Sequence, residues 1–356
     1  MRGARIAGMG RYVPEHVRLN SAWPEAFIGR ATAAFGAELT DVGDARVDPV
    51  AEIVARHMAV EGDDPFRGAR SRRVADASMS SAEAEALAAR EALDDASMRP
   101  EDVDVILSWA MVPDRVTPPS APRVAHLLGA TRAAGMGTDA ACATGIGQLM
   151  LAASLVESGR ARCVLLTQSH LIGRANPLMH PASPLVGDVA TAYVVAPATR
   201  RHIVDVHMAS HGEFHDAVTW VRSREGDEPP WWEAGGAFVP GTRDRELTRR
   251  LGARLVHFAR DTVEELLARV DRRPDDVDVL ATTQPRRWFP AAVAESLGID
   301  PSRAPDTWNT LSHVGGCGVL TNLLEARQRG MLREGASVVL FAMGAGVTRA
   351  AAWISW

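Results

Sequence analysis

Lysine is absent from this chain of 356 residues, and all 39 of its basic side chains are arginine. No Schiff-base lysine and no phosphate-loop lysine can exist here, which excludes pyridoxal enzymes, lysine aldolases and P-loop nucleotidases. Arginine stays charged at any relevant pH, so histidine is the basic side chain left for general-base work, and the 11 histidines form the main list. Cysteine is scarce too. Cys142, Cys163 and Cys317 match neither a disulfide framework nor a zinc site, and fit a reducing compartment. No apolar run reaches the length of a membrane span, and the opening Met1 to Gly10 holds none long enough for a signal peptide, so a cytoplasmic location is expected. A net charge of −5 and the lack of aromatic-laced basic stretches set nucleic acid and membranes aside as partners.

A hydrophobic content of 46% against 23% charged residues allows a large core or two fused cores. Short apolar runs alternate with helical segments: Val103 to Ala110, Gly135 to Cys142, Cys163 to His170, Ala190 to Ala196, Val277 to Gln284 and Ser337 to Met343. This is the pattern of an α/β protein. It also repeats. Pro100-Glu101-Asp102-Val103-Asp104-Val105-Ile106-Leu107 returns as Pro274-Asp275-Asp276-Val277-Asp278-Val279-Leu280, each after an amphipathic helix, so two similar halves are expected, 1–200 and 201–356. The first carries an irregular insertion near 23–73. The second carries a loop near 212–245 with Trp231 and Trp232, aromatic bulk that either covers a pocket or packs the loop onto the body or onto a dimer partner.

The chemistry concentrates at Cys142, in Gly137-Thr138-Asp139-Ala140-Ala141-Cys142-Ala143-Thr144-Gly145, where a small-residue strand turns into a helix running through Leu151 and Leu155. A thiol at a helix start meets free backbone N–H groups and the positive end of the helix dipole, which predicts a favoured thiolate. Cys163 in its apolar strand reads as core, and Cys317 in its glycine-rich turn reads as packing. Aligning the halves without gaps from Gly159 and Gly330, an offset of 171, places His313 opposite Cys142. His313 is then either a hydrogen-bonded turn histidine or a base that deprotonates Cys142 or an acceptor, with Asp306 or Asn309 to orient its ring. His202, His207, His211 and His215 have metal-like spacing but span a strand and a loop, and no metal is expected.

The run Asp139 to Ala143, the turn Val186-Gly187-Asp188-Val189-Ala190, the ending Met343-Gly344-Ala345-Gly346-Val347-Thr348 and the opening Gly8 to Glu15 resemble the type III β-ketoacyl-acyl-carrier-protein synthases over almost the whole chain. The resemblance implies the thiolase fold, five αβαβα layers built from two pseudo-symmetric halves. It also implies a homodimer, acyl-CoA or acyl-carrier-protein thioesters as substrates, no metal and no cofactor beyond the thioester arm. By the same likeness Ala345 joins Cys142 in an oxyanion hole, and Asp188 anchors backbone. The family's catalytic histidine falls on Thr283. Counting back from Leu324-Glu325-Ala326 puts its asparagine position on His313. In the family that pair stabilises the enolate left when malonyl thioester loses carbon dioxide, so their replacement argues against ordinary condensation.

The reading that needs only what is present is a transferase of specialised metabolism. Cys142 takes an acyl group from CoA or a carrier protein and passes it to a small-molecule acceptor. The alternatives are a decarboxylating ketosynthase with donors from His313, Thr283 or Gln284, and a partner subunit of a heteromeric synthase. Arg67, Arg70, Arg72 and Arg73, with Arg286 and Arg287 after the Val277 to Gln284 strand, are candidates for gripping the thioester arm; Arg72, Arg286 and Arg287 are the first choices.

Overall fold

A computed structural model describes residues 3–29, 48–62, 64–222 and 238–356. Trp231, Trp232 and part of the 23–73 insertion lie outside the described residues. The chain opens with β1 (Gly3–Tyr12), a ribbon of β2 (Val17–Leu19) and β3 (Ser71–Arg73), and the helices α1 (Pro49–Glu61) and α2 (Ser81–Asp95). It continues through β4 (Val105–Ala110), α3 (Ala121–Leu128), β5 (Ala134–Gly137), α4 (Thr144–Glu157), β6 (Val164–His170) and β7 (Val189–Ala198). After β8 (Ile203–Ser210) and the ribbon β9 (Thr219–Arg222) and β10 (Phe238–Gly241) come α5 (Arg245–Arg269), β11 (Val279–Thr282), α6 (Phe289–Ser296) and α7 (Trp308–Leu311). The last elements are α8 (Gly318–Gln328), β12 (Ser337–Gly344) and β13 (Thr348–Ser355).

The two large sheets repeat one plan. The first runs β1-β7-β6-β4-β5 and the second β8-β13-β12-β11. In both, a parallel pair (β4 with β6, β11 with β12) is followed by two antiparallel pairs. The internal echo at Pro100 and Pro274 therefore marks equivalent strands, β4 and β11. Helices α4 and α8 lie between the sheets. Ile146, Leu149, Val319, Leu320 and Leu323 share one cluster with Leu107 and Leu166 of the first sheet and Ala281 and Leu340 of the second. The Ala-rich α2, with α3, covers the outer face of the first sheet, and α5 with α6 covers that of the second. The result is five layers, αβαβα.

Strands sealed on both faces read as continuous apolar runs, which explains why β6 and β12 stood out in the sequence. The capping box of Ser80 and Glu83 starts α2, and Asp48 and Asp244 cap α1 and α5. Helix α4 differs: its N-cap is Ala143, with no side-chain cap. The preceding turn takes its place, since the Ala143 and Thr144 N–H groups donate to the Ala140 and Ala141 carbonyls. Among the described residues no helix is long and apolar enough to cross a membrane.

Candidate active site

Cys142 lies in a single 3₁₀ turn, Ala141–Ala143, between the end of β5 and the start of α4. The turn is fixed from below by Asp139, whose Oδ1 accepts from the Ala141 N–H at 2.7 Å and from Trp109 Nε1 at 2.9 Å. Thr144 ties its far side: its hydroxyl donates to the Ala141 carbonyl at 2.7 Å and accepts from the Ala140 N–H at 2.8 Å. Ala141 sits at φ 49°, a strained conformation for a residue with a side chain, and these bonds hold it there. From above, the end of β12 presses in so closely that a Cβ on Gly344 would fall 2.1 Å from the Ala140 carbonyl oxygen and 3.1 Å from the Ala143 nitrogen. Only glycine fits there, and Ala345 is the next residue in the chain.

The second half delivers His313 to the same point. Its Nε2 stands 3.9 Å from Cys142 Sγ, and its Nδ1 3.1 Å from the Gln284 carbonyl oxygen. A carbonyl can only accept, so Nδ1 carries the proton and Nε2 presents its lone pair to the thiol. An imidazole held in this way can take a proton from Cys142 or from a molecule bound beside it. Its backbone is stitched to the 185–187 segment. The His313 N–H donates to the Leu185 carbonyl and the Gly187 N–H to the His313 carbonyl, both at 3.0 Å.

Both groups rest neutral. Burial pushes the Cys142 thiol up to about 12 with the Asp139 carboxylate adding to it, while burial pulls His313 down to about 4 with the positive charge of Arg286 adding to that. The sequence predicted a thiolate stabilised by the helix start. A helix end contributes about 0.3 to 1 kcal/mol, whereas each pKa unit corresponds to about 1.4 kcal/mol, so loss of water around the sulfur outweighs the dipole. Alkylation by iodoacetamide is accordingly expected to be at least about tenfold slower at Cys142 than at a free cysteine at pH 7.5, and to keep accelerating to pH 10 without a plateau. Peptide mass spectrometry resolves this from Cys163 and Cys317, both fully buried. A plateau below pH 8 would establish a stabilised thiolate instead.

The other candidates divide. Thr283, directly after β11, is 2% exposed and gives its N–H to the Phe341 carbonyl at 2.9 Å. Gln284 is not available as a donor to substrate. Its Nε2 already serves Thr307 Oγ1 at 3.1 Å and the Ser312 carbonyl at 2.8 Å, and its Oε1 accepts from the Thr307 N–H and Asn322 Nδ2. Its backbone carbonyl is the part that faces the site. Asp306 and Asn309 do not orient His313: Asp306 caps the Trp308 N–H at 3.0 Å, and Asn309 is exposed, with its carbonyl on the Arg70 N–H. Arg72 cannot grip a thioester arm, because it is 1% exposed, stacks between Trp23 and Phe66, and bonds to the Pro184 carbonyl and Asn20. Arg286 remains near His313, and exposed Arg287 lies over Gly68.

The four histidines of the metal-like string part company. His202 Nδ1 meets the Ser355 carbonyl, His207 pairs with Glu265 at 2.7 Å, His211 accepts from Arg349, and His215 lies by Gly346. Asp188 accepts the Gly173 and Ala75 N–H groups. Cys317 Sγ faces the carbonyls of Gln168 and Val189 and packs inside. Sequence reasoning missed Trp109 and His170. Trp109 stands where the echo puts Thr283's counterpart, an offset of 174 from the two aligned prolines.

Two family descriptions match the chain: 3-oxoacyl-[acyl-carrier-protein] synthase III over residues 136–212 and the C-terminal part of the same synthases over residues 267–356. The β-ketoacyl-[acyl-carrier-protein] synthase III of Granulibacter bethesdensis is 29% identical over 358 residues, covering 98% of both chains. Among solved structures, the synthase III of Pseudomonas aeruginosa superposes with a TM-score of 0.78 at 22% identity, covering 99% of this chain and 98% of that one. The priming β-ketosynthase of the R1128 polyketide pathway does so with 0.77 at 23%, covering 99% and 96%. With the Cys142 turn, the paired halves and the layer order all in place, the chain has the thiolase fold and belongs to the ketosynthase III family of the thiolase superfamily, whose chemistry is thioester-dependent acyl transfer and condensation.

Proposed function

We propose that the protein is an acyltransferase in which Cys142 carries the acyl group and His313 moves the protons. The observation that carries this reading is the pair itself: a neutral thiol 3.9 Å from an imidazole lone pair whose tautomer is fixed by the Gln284 carbonyl. Cys142 attacks the thioester carbonyl of an acyl-CoA or acyl-carrier protein as its proton passes to His313 Nε2. The tetrahedral oxyanion is met by the N–H groups of Cys142 and Ala345. The pantetheine thiol leaves with the proton from His313. A hydroxyl or amine of the acceptor then gives its proton to His313 and attacks the acyl-cysteine, and the Cys142 sulfur leaves and is reprotonated. No cofactor beyond the thioester arm takes part. Thr283 supports transfer over condensation, because a threonine at the family's histidine position lacks the imidazole donor that an enolate oxygen needs.

Intact-protein mass after incubation with a panel of acyl-CoA and acyl-carrier thioesters tests the reading. A mass gain is expected in the native chain and none in Cys142→Ala, with amine or alcohol acceptors discharging it and malonyl thioester leaving it in place. Discharge by malonyl thioester with release of carbon dioxide would restore carbon–carbon condensation. No acylation by any donor would favour a partner subunit. A homodimer and service in specialised metabolism belong to the same proposal, and sedimentation of the purified chain tests the first.

A further inference from the structure

The base is itself held by a second imidazole. We infer that His170, at the end of β6, is a positioning residue for His313, fixing the backbone on both sides of it and packing against one side of its ring. The inference rests on the reading of His313 as the base.

Three contacts carry it. His170 is 1% exposed, and its Nδ1 lies 2.8 Å from the Gly187 carbonyl oxygen, so Nδ1 bears the proton. Gly187 is the residue whose N–H donates to the His313 carbonyl. One glycine thus joins the two histidines, gripped by His170 on its carbonyl and gripping His313 with its amide. Gly187 has no freedom to drift, since a Cβ there would fall 2.3 Å from the Leu311 carbonyl oxygen. On the other side of His313, Gly315 adopts φ +52° directly against the His170 ring, with its Cβ position 2.3 Å from His170 Cδ2. The turn after the base is therefore moulded on the same side chain.

The rings of His170 and His313 meet edge to face, with centroids 5.8 Å apart and planes at 70°. A buried ring in that position packs against one side of His313. Burial, with His313 adding to it, keeps His170 neutral down to about 3. The other titratable groups facing the pair are Cys142 and Cys317 from the two glycine-rich turns and Arg286 from the segment after β11; Glu85 lies across β6, bonded to Thr167 and Ser169. A symmetry of roles results. The end of β12 presses Gly344 against the Cys142 turn, and the end of the equivalent β6 presses His170 against the His313 turn.

The test compares single-turnover acylation in His170→Ala, His170→Phe and His170→Asn, each across pH 4 to 8, with His313→Ala in parallel. Displacement of the base by a fraction of an ångström is expected to slow acylation by about 10- to 100-fold in His170→Ala and His170→Phe, with KM for the thioester unchanged. In His170→Ala, water entering behind His313 is expected to move the acid limb of the rate from near pH 4 toward 6.5. His170→Asn, which keeps an N–H for the Gly187 carbonyl, is expected to recover most of the rate. Loss of rate in His313→Ala with native rates and an unmoved acid limb in the His170 variants would overturn the positioning role alone. Native acylation by His313→Ala would overturn the base and this inference together. The unaltered protein offers an independent check if a variant fails to fold: ¹⁵N spectra of labelled histidine are expected to show both imidazoles as Nδ1–H tautomers, and an Nε2–H form for either sinks the arrangement.

Discussion

Acylation of Cys142 is expected to slow by about 10²- to 10⁴-fold in His313→Ala, because the thiol then has no base to take its proton at the moment of attack. The loss should be large because the resting thiol is far from ionised at neutral pH, with its pKa pushed up to about 12. A preformed thiolate would tolerate loss of the base much better, so the size of the effect separates the two ways of activating sulfur. The pH profile separates them again. A histidine held down to about 4 stays unprotonated, and competent as a base, throughout pH 5 to 8. Native acylation should therefore run level across that window and fall only near pH 4, where an ordinary imidazole would already have lost half its competence near 6.5. Free imidazole added to His313→Ala should restore part of the rate by occupying the vacated space. Stopped-flow release of CoA measures all three results, and native-like acylation by the variant would remove His313 from the mechanism.

The exchange at two positions sets what such a site can do. Decarboxylative condensation needs hydrogen-bond donors aimed at an enolate oxygen, and each is worth about 3 to 4 kcal/mol. On the proposed reading Thr283 stands in place of the ring at one position, and at the other the tautomer of His313 fixed by the Gln284 carbonyl turns its lone pair, not an N–H, toward the cysteine. A lone pair accepts protons and stabilises no enolate. The polarity of one ring, set by the Gln284 carbonyl, thereby supports proton transfer from a thiol or an acceptor over carbanion chemistry.

Much of this was legible in the sequence because two physical constraints write themselves into local pattern. Strands covered on both faces carry runs of apolar residues, unbroken in β12 and confined to Val164-Leu165-Leu166 at the start of β6, so β4, β6, β7, β11 and β12 were read close to their observed bounds. The duplicated plan put Cys142 and His313 opposite each other by simple counting. What escaped depends on contacts that no local pattern records. Arg72 looks like Arg70 and Arg73 in the sequence, yet the pairing of β2 with β3 turns it inward; period-two alternation would have separated it from Arg73, while Arg70 lies outside the strand. Gln284 was read for its side chain, which four hydrogen bonds to Thr307, Ser312 and Asn322 consume, while the group beside His313 is its carbonyl. His170 was seen only as the end of a strand, since its partner Gly187 lies 17 residues further on and acts through the backbone. The orientation of His313 was assigned to nearby polar side chains for the same reason: a carbonyl has no letter of its own.

The largest expected effect on stability lies away from the chemistry, at Glu85 of α2. Its side chain is fully buried against β6, where Thr167 donates to one carboxyl oxygen at 2.6 Å and Ser169 to the other at 2.9 Å. No cation pairs with it among the described residues, and burial pushes its pKa up to about 8 from 4.5. The folded state thus holds this proton more tightly than the unfolded chain does. A raised folded pKa means that the group's contribution is complete below about pH 4.5 and is lost progressively as pH rises toward 8. At about 1.4 kcal/mol per unit, the loss across that window is about 5 kcal/mol. Glu85→Gln keeps the shape and the hydroxyl partners and has no proton to lose. Its melting temperature is expected to match the native chain's near pH 5 and to exceed it by several degrees at pH 8, the gap widening steadily in between. Thermal melts at half-unit steps of pH would show this directly. Parallel curves for the two proteins would mean that Glu85 is ionised in the fold and that its hydroxyl donors, Thr167, Ser169 and Ser120, suffice to hold a buried charge.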